Sequence, residues 1–318
     1  MVQVAVITGN SASGLACMQK LLSNASTSPV SLVRGCFRVQ GRAATARSSL
    51  PLSQLNRKDC KYDVFPFVNA TDMDSLRRAL EGIDRAMLVT PLDYHAGLQD
   101  DAAKSIHMIK AAQEVGVSRV VHVGSWTVQA PTELPILASR FVPTEDHLTS
   151  EIGNAMEWTV LRGGYFMSNF SHVHGASMLE KQQLLAVPDC WIPPVDVRDI
   201  GAAAAALLEA DTKDYLLNNY NHSFIECCGP ELLSHRDIAA QLSAGLNVAI
   251  EYPKAPSLGE WKSDNPVLSE LYQYMAQGDG KQLPFDPKPF EKLLGRPLTT
   301  LKEWAAEHHH AFQYTNTR

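Results

Sequence analysis

A short loop near the start of the chain has the residue types of a phosphate-binding turn. Its six residues are Gly9, Asn10, Ser11, Ala12, Ser13 and Gly14. The loop follows the apolar run VAVIT and precedes GLACMQKLL, whose apolar residues recur at helical spacing. Glycine lets a backbone approach an anion closely because it has no Cβ, and N–H groups at a helix N-terminus bind phosphate. We therefore predict that these residues bind the pyrophosphate of a dinucleotide.

The spacing of the two glycines departs from the dinucleotide fingerprint. That fingerprint has three glycines, whereas only Gly9 and Gly14 are present here, with Ala12 near the place of the middle one. Alanine is small enough to stand in for glycine there, and the two serines add hydroxyl donors. A plain strand-to-helix turn that binds nothing is the alternative that this spacing leaves open.

The residues of the second apolar run indicate which dinucleotide the chain binds. NAD enzymes place Asp or Glu at the end of the second strand, where the carboxylate accepts hydrogen bonds from the ribose. Here the segment reads VSLVRGCFRVQGR, with Arg34 at that place and Arg38 and Arg42 close behind. A guanidinium pairs bidentately with phosphate, whereas a carboxylate repels it. We predict NADP(H) as the cofactor, with Arg34 and Arg38 at its 2′-phosphate; a solvated arginine face is the alternative.

Residues at the ends of the later strands complete the predicted cofactor site, because ligands bind at the carboxyl edge of such a sheet. We expect Asn69 at the adenine edge. The segment from Thr90 through Pro91 to Leu92 is expected beside the adenosine and the pyrophosphate. The predicted nicotinamide contacts are Gly124, Ser125 and Trp126 on one side and Gly163, Gly164 and Tyr165 on the other.

Aromatic and polarisable residues after the fifth and sixth strands predict a pocket for a flat, conjugated substrate. They are Trp126, Tyr165, Phe166 and Met167. Core packing between the two parts of the chain is the alternative for Phe166 and Met167. His122 lies inside an apolar strand, which is typical of a core histidine and not of a catalytic acid.

The elements that position these residues alternate between strand and helix over the first half of the chain. Strands that are apolar throughout, such as RAMLV and RVVHVGS, indicate a parallel sheet covered on both faces. We predict an α/β fold with a doubly wound, parallel Rossmann-type sheet. Residues 1–165 and 196–230 would form the dinucleotide-binding domain, and residues 166–195 and 231–318 a smaller, partly discontinuous C-terminal lobe for substrate or partner.

Composition limits the partners and the compartment. The formal net charge of −6 gives no basic surface for nucleic acid, and no apolar run approaches the length of a membrane span. The six cysteines include no CxxC pair and the N-terminus shows no secretory signal, so we expect a cytoplasmic protein. The histidine run 308–310 predicts no metal site, since consecutive helix residues point in different directions.

In their order and spacing, several segments resemble those of the NmrA-like family of atypical short-chain dehydrogenases/reductases. They are VITGNSASG, VNATDMDSLRRALEGIDRAMLVTP, AAQEVGVSRVVHVGS, PTEDHL, EWTVLRGGYFMSNF, PVDVRDIGAAAAALL and LTTLKEWAAEHHHAF. The family includes NADPH-dependent reductases of quinones, triphenylmethane dyes and ergot-alkaloid iminium compounds, and also noncatalytic regulators that bind NADP(H). The resemblance implies cofactor roles for Gly9, Gly14, Arg34, Thr90, Ser125 and Tyr165.

The Tyr-x-x-x-Lys pair, which donates the proton in ordinary short-chain dehydrogenases, is absent from the sequence. Tyr165 is the one tyrosine between Lys110 and Lys181, and Asn169 follows it four residues later. Without such an acid, hydride transfer is favoured for quinones, iminium ions and cationic dyes, which delocalise the charge they receive. A reductase of such a small molecule is our first hypothesis. A noncatalytic NADP(H)-binding regulator that contacts a partner protein is the alternative.

Overall fold

The computed structural model describes residues 1–24, 28–39, 41, 45, 50, 60–90, 98–172, 174–211 and 214–312. The chain divides into two compact units. Unit 1 comprises Met1–Val128, Ala138–Arg162 and Ile200–Ile225. Unit 2 comprises Gln129–Leu137, Gly163–Asp199 and Glu226–Arg318. Each unit is therefore built from segments that are distant in the sequence.

A seven-stranded sheet is the main feature of unit 1. Its strands are β1 (Val2–Ile7), β2 (Val30–Cys36), β3 (Lys61–Phe65), β4 (Arg85–Val89), β5 (Arg119–Ser125), β6 (Glu157–Gly163) and β8 (Ser223–Cys227). Their order across the sheet is β3-β2-β1-β4-β5-β6-β8. Strand β1 pairs in parallel with β2 and β4, and the pairs β2–β3 and β4–β5 are parallel as well. The strand order reverses beside β1, which confirms the predicted doubly wound Rossmann-type sheet.

Helices follow most of the strands. Over the described residues they are α1 (Ala12–Ser23), α2 (Met73–Leu80), α3 (Asp101–Glu114), α4 (Pro135–Ala138), α5 (Val142–His147), α6 (Ser168–His172), α7 (Gly175–Lys181), α8 (Val197–Glu209), α9 (Tyr215–Tyr220), α10 (His235–Leu246), α11 (Pro266–Met275), α12 (Lys288–Leu294) and α13 (Leu301–Glu307). Helix α2 shows why such segments begin where they do. The Asp72 carboxylate accepts hydrogen bonds from the N–H groups of Asp74 and Ser75, two donors that the helix cannot satisfy itself.

The core of unit 1 lies between the sheet and its helices. All five residues of β4 are buried, as an inner strand with both faces covered requires. Leu76 of α2 and Met108 of α3 pack in the same apolar cluster as Leu88 of β4. This packing fixes the position of the carboxyl end of each strand. The residues of the predicted site lie at these ends.

Unit 2 contains a small antiparallel sheet and the C-terminal helices. Strand β7 (Trp191–Ile192) pairs with β9 (Leu233–Ser234). Helices α10 and α13 lie in close contact, because a Cβ added at Gly245 would be 2.5 Å from the carbonyl oxygen of Lys302. Phe290 and Trp304 are buried in this unit. Unit 2 therefore has an apolar core of its own.

Candidate cofactor-binding site

The loop between β1 and α1 presents backbone donors at the start of a three-turn helix. Ser11 is the N-cap of α1, and its Oγ accepts the N–H of Gly14 at 3.0 Å. The N–H of Ser11 donates to the carbonyl of Thr8 at 2.9 Å. The described residues supply no acceptor for the N–H groups of Ala12 and Ser13. These two donors and the helix dipole suit a phosphate group.

Gly14 is required by the close approach of α1 to β1. A Cβ at this position would lie 2.7 Å from Ser11 Oγ, 2.9 Å from the carbonyl oxygen of Thr8 and 3.2 Å from Val6 Cγ1. Two of these distances are shorter than real Cβ contacts, so any other residue would push the loop away from the strand. Despite its irregular glycine spacing, the segment therefore forms the tight strand–loop–helix turn that pyrophosphate binding requires.

Thr8 fixes the base of this loop in a strained conformation. Its φ angle is 60°, in the left-handed region that a β-branched residue rarely adopts. The Thr8 hydroxyl donates to the carbonyl of Val89, the last residue of β4, at 2.8 Å. This bond joins the carboxyl ends of β1 and β4. A ligand is expected at this place, because the strand order reverses between these two strands.

Arg34 lies within β2, before its end, and its guanidinium is bound inside unit 1. Its backbone is opposite Ala5 of β1 and Asp63 of β3. Arg34 Nε donates to Asp63 Oδ2 at 3.0 Å, and Nη1 donates to the carbonyls of Ala79 and Glu81 at 3.1 and 3.0 Å. The side chain therefore binds the C-terminal end of α2. This geometry does not favour the predicted contact between Arg34 and a 2′-phosphate.

The end of β2 lies beyond Arg34, level with the loop. Strand β2 continues to Cys36, whose carbonyl accepts the N–H of Gly9 at 2.9 Å. Phe37 is fully buried, and Arg38 follows it with an exposed side chain. Of the two predicted arginines, Arg38 is thus the one next to the loop. The third arginine of the segment, Arg42, lies outside the described residues.

The ends of β3 and β4 place two of the predicted adenosine contacts. Asn69 is exposed, and its Oδ1 accepts the N–H of Thr71 at 3.0 Å in a turn that leads into α2. Thr90 is buried, and its hydroxyl lies 2.8 Å from that of Ser105 in α3. The side-chain oxygens of both residues therefore have protein partners. The next two predicted residues, Pro91 and Leu92, lie outside the described residues.

The end of β5 carries small or buried side chains. A Cβ at Gly124 would lie 2.8 Å from Val160 Cγ1, so this position admits only glycine. Ser125 Oγ accepts the N–H and the hydroxyl of Thr127, at 3.3 and 3.1 Å. Trp126 is 5% exposed. Burial lowers the pKa of His122 to about 4, so this histidine is neutral at pH 7 and is no acid.

The predicted residues after β6 lie in unit 2 and are mostly buried. The hydroxyl of Tyr165 lies 3.3 Å from that of Tyr272, and burial raises the pKa of Tyr165. Met167 is fully buried, and its N–H donates to the carbonyl of Val195 in the same unit. Phe166, half-buried, forms a backbone bridge with Val195. Sequence reasoning missed Tyr272, because nothing local links two positions 107 residues apart.

The described part of the chain shows neither a metal-binding cluster nor a membrane-spanning helix. No group of three or more His, Cys, Asp or Glu residues there has an arrangement that would hold a metal ion. No helix there is long and apolar enough to cross a membrane. The loop and the strand ends around it are the candidate site because the strand order reverses there.

Comparison with known proteins finds a matching family profile, a similar curated sequence and similar solved structures. The sequence profile of the NmrA-like family matches residues 67–306. A curated relative, (4-alkanoyl-5-oxo-2,5-dihydrofuran-3-yl)methyl phosphate reductase of Streptomyces griseus, is 27% identical over 250 residues, which are 76% of this chain and 81% of the relative.

Solved structures show the same fold at lower identity. The NADPH complex of quinone oxidoreductase QOR2 from Escherichia coli has a TM-score of 0.73 and 19% identity, covering 96% of this chain and 99% of that one. The negative transcriptional regulator NmrA in complex with NADP has a TM-score of 0.72 and 16% identity, covering 100% and 98%. One of these two relatives is a reductase, and the other is a regulator.

Proposed function

The chain belongs to the NmrA-like family, and on this premise we propose that it is an NADPH-dependent reductase of a small, conjugated electrophile. The observation that carries the proposal is the turn between β1 and α1. Its two unpartnered N–H groups, on Ala12 and Ser13, stand at the switch point of a Rossmann-type sheet. The structural relatives that contain NADPH or NADP share this fold.

We assign the parts of NADP(H) to named residues of unit 1. The N–H groups of Ala12 and Ser13 would hold the pyrophosphate, with the Ser11 hydroxyl beside them. Arg38 would pair with the 2′-phosphate, because it follows the end of β2 at the height of the loop. When bound, this cofactor supplies a hydride. The protein binds and orients the cofactor and the substrate. Hydride transfer then takes place within one complex and not between two freely diffusing molecules.

The substrate class follows from the acid that the chain lacks. Tyr165 has no lysine four residues on, and its hydroxyl faces that of Tyr272 in a buried site that raises its pKa. A phenol whose pKa is raised is a weaker proton donor than an ordinary tyrosine. We therefore propose quinone-, iminium- or dye-like substrates, which accept hydride into a delocalised system, with any proton coming from water. The curated relative is named for a dihydrofuran that bears two carbonyl groups, which is compatible with this class.

A noncatalytic NADP(H)-binding regulator that contacts a partner protein is the second candidate. The observation that favours it is burial: Trp126, Tyr165 and Met167, predicted to line the substrate pocket, are 5%, 4% and 0% exposed. Side chains that are buried against other parts of the protein leave little surface for contact with a substrate.

We propose that the chain acts in the cytoplasm, whether as a reductase or as a regulator. All six cysteines are unpaired, as in proteins of a reducing compartment.

One assay separates the two candidates. The purified chain is mixed with NADPH and a panel of quinones, iminium compounds and triphenylmethane dyes, and the absorbance of NADPH is followed. A reductase consumes NADPH with at least one member of the panel. Tight NADPH binding without consumption in any mixture would support the regulator and contradict the reductase.

A further inference from the structure

Phe67 combines an unfavourable backbone conformation with an exposed aromatic ring. Its φ angle is 62° and its side chain is 61% exposed. The left-handed region costs free energy for a bulky residue. Burial of the ring would offset this cost, but the ring lies mostly in solvent. Folding alone therefore gives no reason for a phenylalanine at this position.

Three other non-glycine residues with positive φ in the described part of the chain lie at the ends of helices, where left-handed residues are common. Gln182 and Asn247 are the C-caps of α7 and α10, and His222 directly follows the C-cap of α9. Thr8 is different, because it lies at the base of the loop that we assign to the pyrophosphate. Strained residues of this kind concentrate at ligand sites. Phe67 and Thr8 follow β3 and β1, which flank β2 on either side.

Hydrogen bonds beyond the strand ends hold Phe67 in place. The N–H of Phe37 donates to the carbonyl of Phe65 at 3.0 Å, and the N–H of Val68 donates to the carbonyl of Phe37 at 2.9 Å. The Ser75 hydroxyl donates to the carbonyl of Phe67 itself at 3.3 Å. The chain on both sides of Phe67 is thus fixed, and the left-handed turn at Phe67 is the conformation that joins the two parts.

The same hydrogen bonds align Phe67 with the rest of the candidate site. Gly9 donates to Cys36 at the end of β2, so the loop, the β2 end and the β3 end lie side by side at the carboxyl edge of the sheet. They carry, in this order, backbone donors, the guanidinium of Arg38 and the ring of Phe67. A 2′-phosphoadenosine diphosphate has a pyrophosphate, a 2′-phosphate and an adenine. These groups match, in the same order, the backbone donors after β1, Arg38 after β2 and Phe67 after β3.

We propose that Phe67 is the stacking platform for the adenine of the coenzyme and that its left-handed backbone holds the ring exposed for that purpose. This inference rests on the proposed function, since it requires an adenine dinucleotide. A base stacks on an aromatic ring through its π-face, whatever hydrogen bonds its edge makes. Asn69, by contrast, has its side-chain oxygen engaged in the turn to α2. The ring of Phe67 and not the side-chain oxygen of Asn69 is then the main adenine contact.

The variant Phe67→Gly separates ligand binding from folding. Glycine accepts positive φ without strain, so this variant keeps or raises the melting temperature while it loses the ring. Phe67→Tyr keeps the ring. Phe285→Ala is the matched control, because it removes another exposed phenylalanine, 42% exposed, from unit 2.

Calorimetric titration of the full chain with three ligands tests the proposal. The ligands are NADP⁺, adenosine 2′,5′-bisphosphate and nicotinamide mononucleotide. We expect Phe67→Gly to bind the two adenine ligands about tenfold more weakly and nicotinamide mononucleotide with unchanged affinity. Phe67→Tyr and Phe285→Ala keep the wild-type affinities.

Failure of this inference is distinct from failure of the proposed function. If the wild-type chain binds neither NADP⁺ nor the bisphosphate, the proposed function fails. If the wild-type chain binds both, and Phe67→Gly binds them with equal affinity, only the stacking platform is overturned. An equal loss for all three ligands in Phe67→Gly would also overturn it, because the ring would then act on the whole site.

Discussion

Nε of Arg34 lies 3.0 Å from Oδ2 of Asp63, its neighbour on the adjacent strand, and this ion pair engages the guanidinium that was predicted to bind the 2′-phosphate. The other end of the same guanidinium binds two carbonyls at the C-terminal end of α2, where a positive charge is favourable. Arg34 thus joins two strands and a helix. We propose that Arg38, which follows the end of β2, selects the coenzyme.

The first prediction contrasts these two arginines. Arg38→Ala should weaken NADPH binding about tenfold to hundredfold, the range for losing charge-assisted hydrogen bonds, and leave NADH binding unchanged. Arg34→Ala should lower the melting temperature and change the affinities for NADPH and NADH by the same factor. Titration of both variants with both coenzymes checks this. A selective loss of NADPH in Arg34→Ala, with Arg38→Ala like the wild type, would reverse the assignment.

The second prediction concerns the turn at Gly14. Gly14→Ala places a Cβ 2.7 Å from Ser11 Oγ and 2.9 Å from the carbonyl of Thr8, so the loop must move away from the strand. NADPH binding should weaken by at least about tenfold, or about 1.4 kcal/mol. Gly175→Ala is the control, since an added Cβ there meets nothing within 4 Å. Wild-type NADPH affinity in Gly14→Ala would show that the loop does not hold the cofactor.

The third prediction tests the absence of a tyrosine acid. Because burial raises the pKa of Tyr165 and its hydroxyl faces Tyr272, we expect Tyr165→Phe to keep kcat within a few-fold of the wild type. The pH profile of kcat with a dye substrate should show no step from a tyrosine between pH 6 and pH 9. Tyr272→Phe is the matched variant. A fall in kcat of about a hundredfold in Tyr165→Phe, which is typical of a lost general acid, would contradict this.

The fourth prediction follows from the buried imidazole of His122. Burial lowers its pKa from 6.5 to about 4, so the unfolded chain binds a proton that the folded chain does not between these pH values. The stability that this group contributes is present above pH 6.5 and is lost as the pH falls toward 4, by about 3 kcal/mol.

Urea unfolding of the wild type and of His122→Leu over this pH range measures that loss. The difference in unfolding free energy between the two proteins should change with pH, while the exposed-histidine control His309→Gln should follow the wild type. Parallel curves for the wild type and His122→Leu would mean that His122 is protonated in the folded state as readily as in the unfolded one.

Much of the fold was predictable because its signals are local. Strand β4 reads RAMLV and is buried at every position, and a proline follows it two residues later, so composition alone marks an inner strand. The loop after β1 was identified for a similar reason. Small residues between an apolar run and an amphipathic helix admit few structures, and the structure adds the hydrogen bonds of Ser11 and Thr8.

The assignment of the arginines was less predictable, because it depends on a strand end. Arg34 was predicted at the end of the second strand, where NAD enzymes place an acid. The strand instead continues through Gly35 to the buried Cys36, since β1 and β3 pair with these residues on either side. Two residues of difference move the sheet edge from Arg34 toward Arg38.

Two features of the structure had no sequence signal: the contact between Tyr165 and Tyr272, and the positive φ angle of Phe67. The hydroxyl pair of Tyr165 and Tyr272 depends on tertiary packing in unit 2. The left-handed conformation of Phe67 occurs at a residue type that disfavours it, so no propensity rule points there. Such positions are expected where local preference and function conflict.

The central claim is that this chain transfers a hydride from NADPH to carbon in a conjugated electrophile. The direct measurement uses NADPH deuterated at C4, on either face, with a cationic triphenylmethane dye, because the hydride then ends in a C–H bond that does not exchange with water. We predict a leuco product one mass unit heavier with one of the two labelled cofactors. An unlabelled leuco product with both cofactors, or no NADPH consumption with any quinone, iminium compound or dye of the panel, would contradict the account.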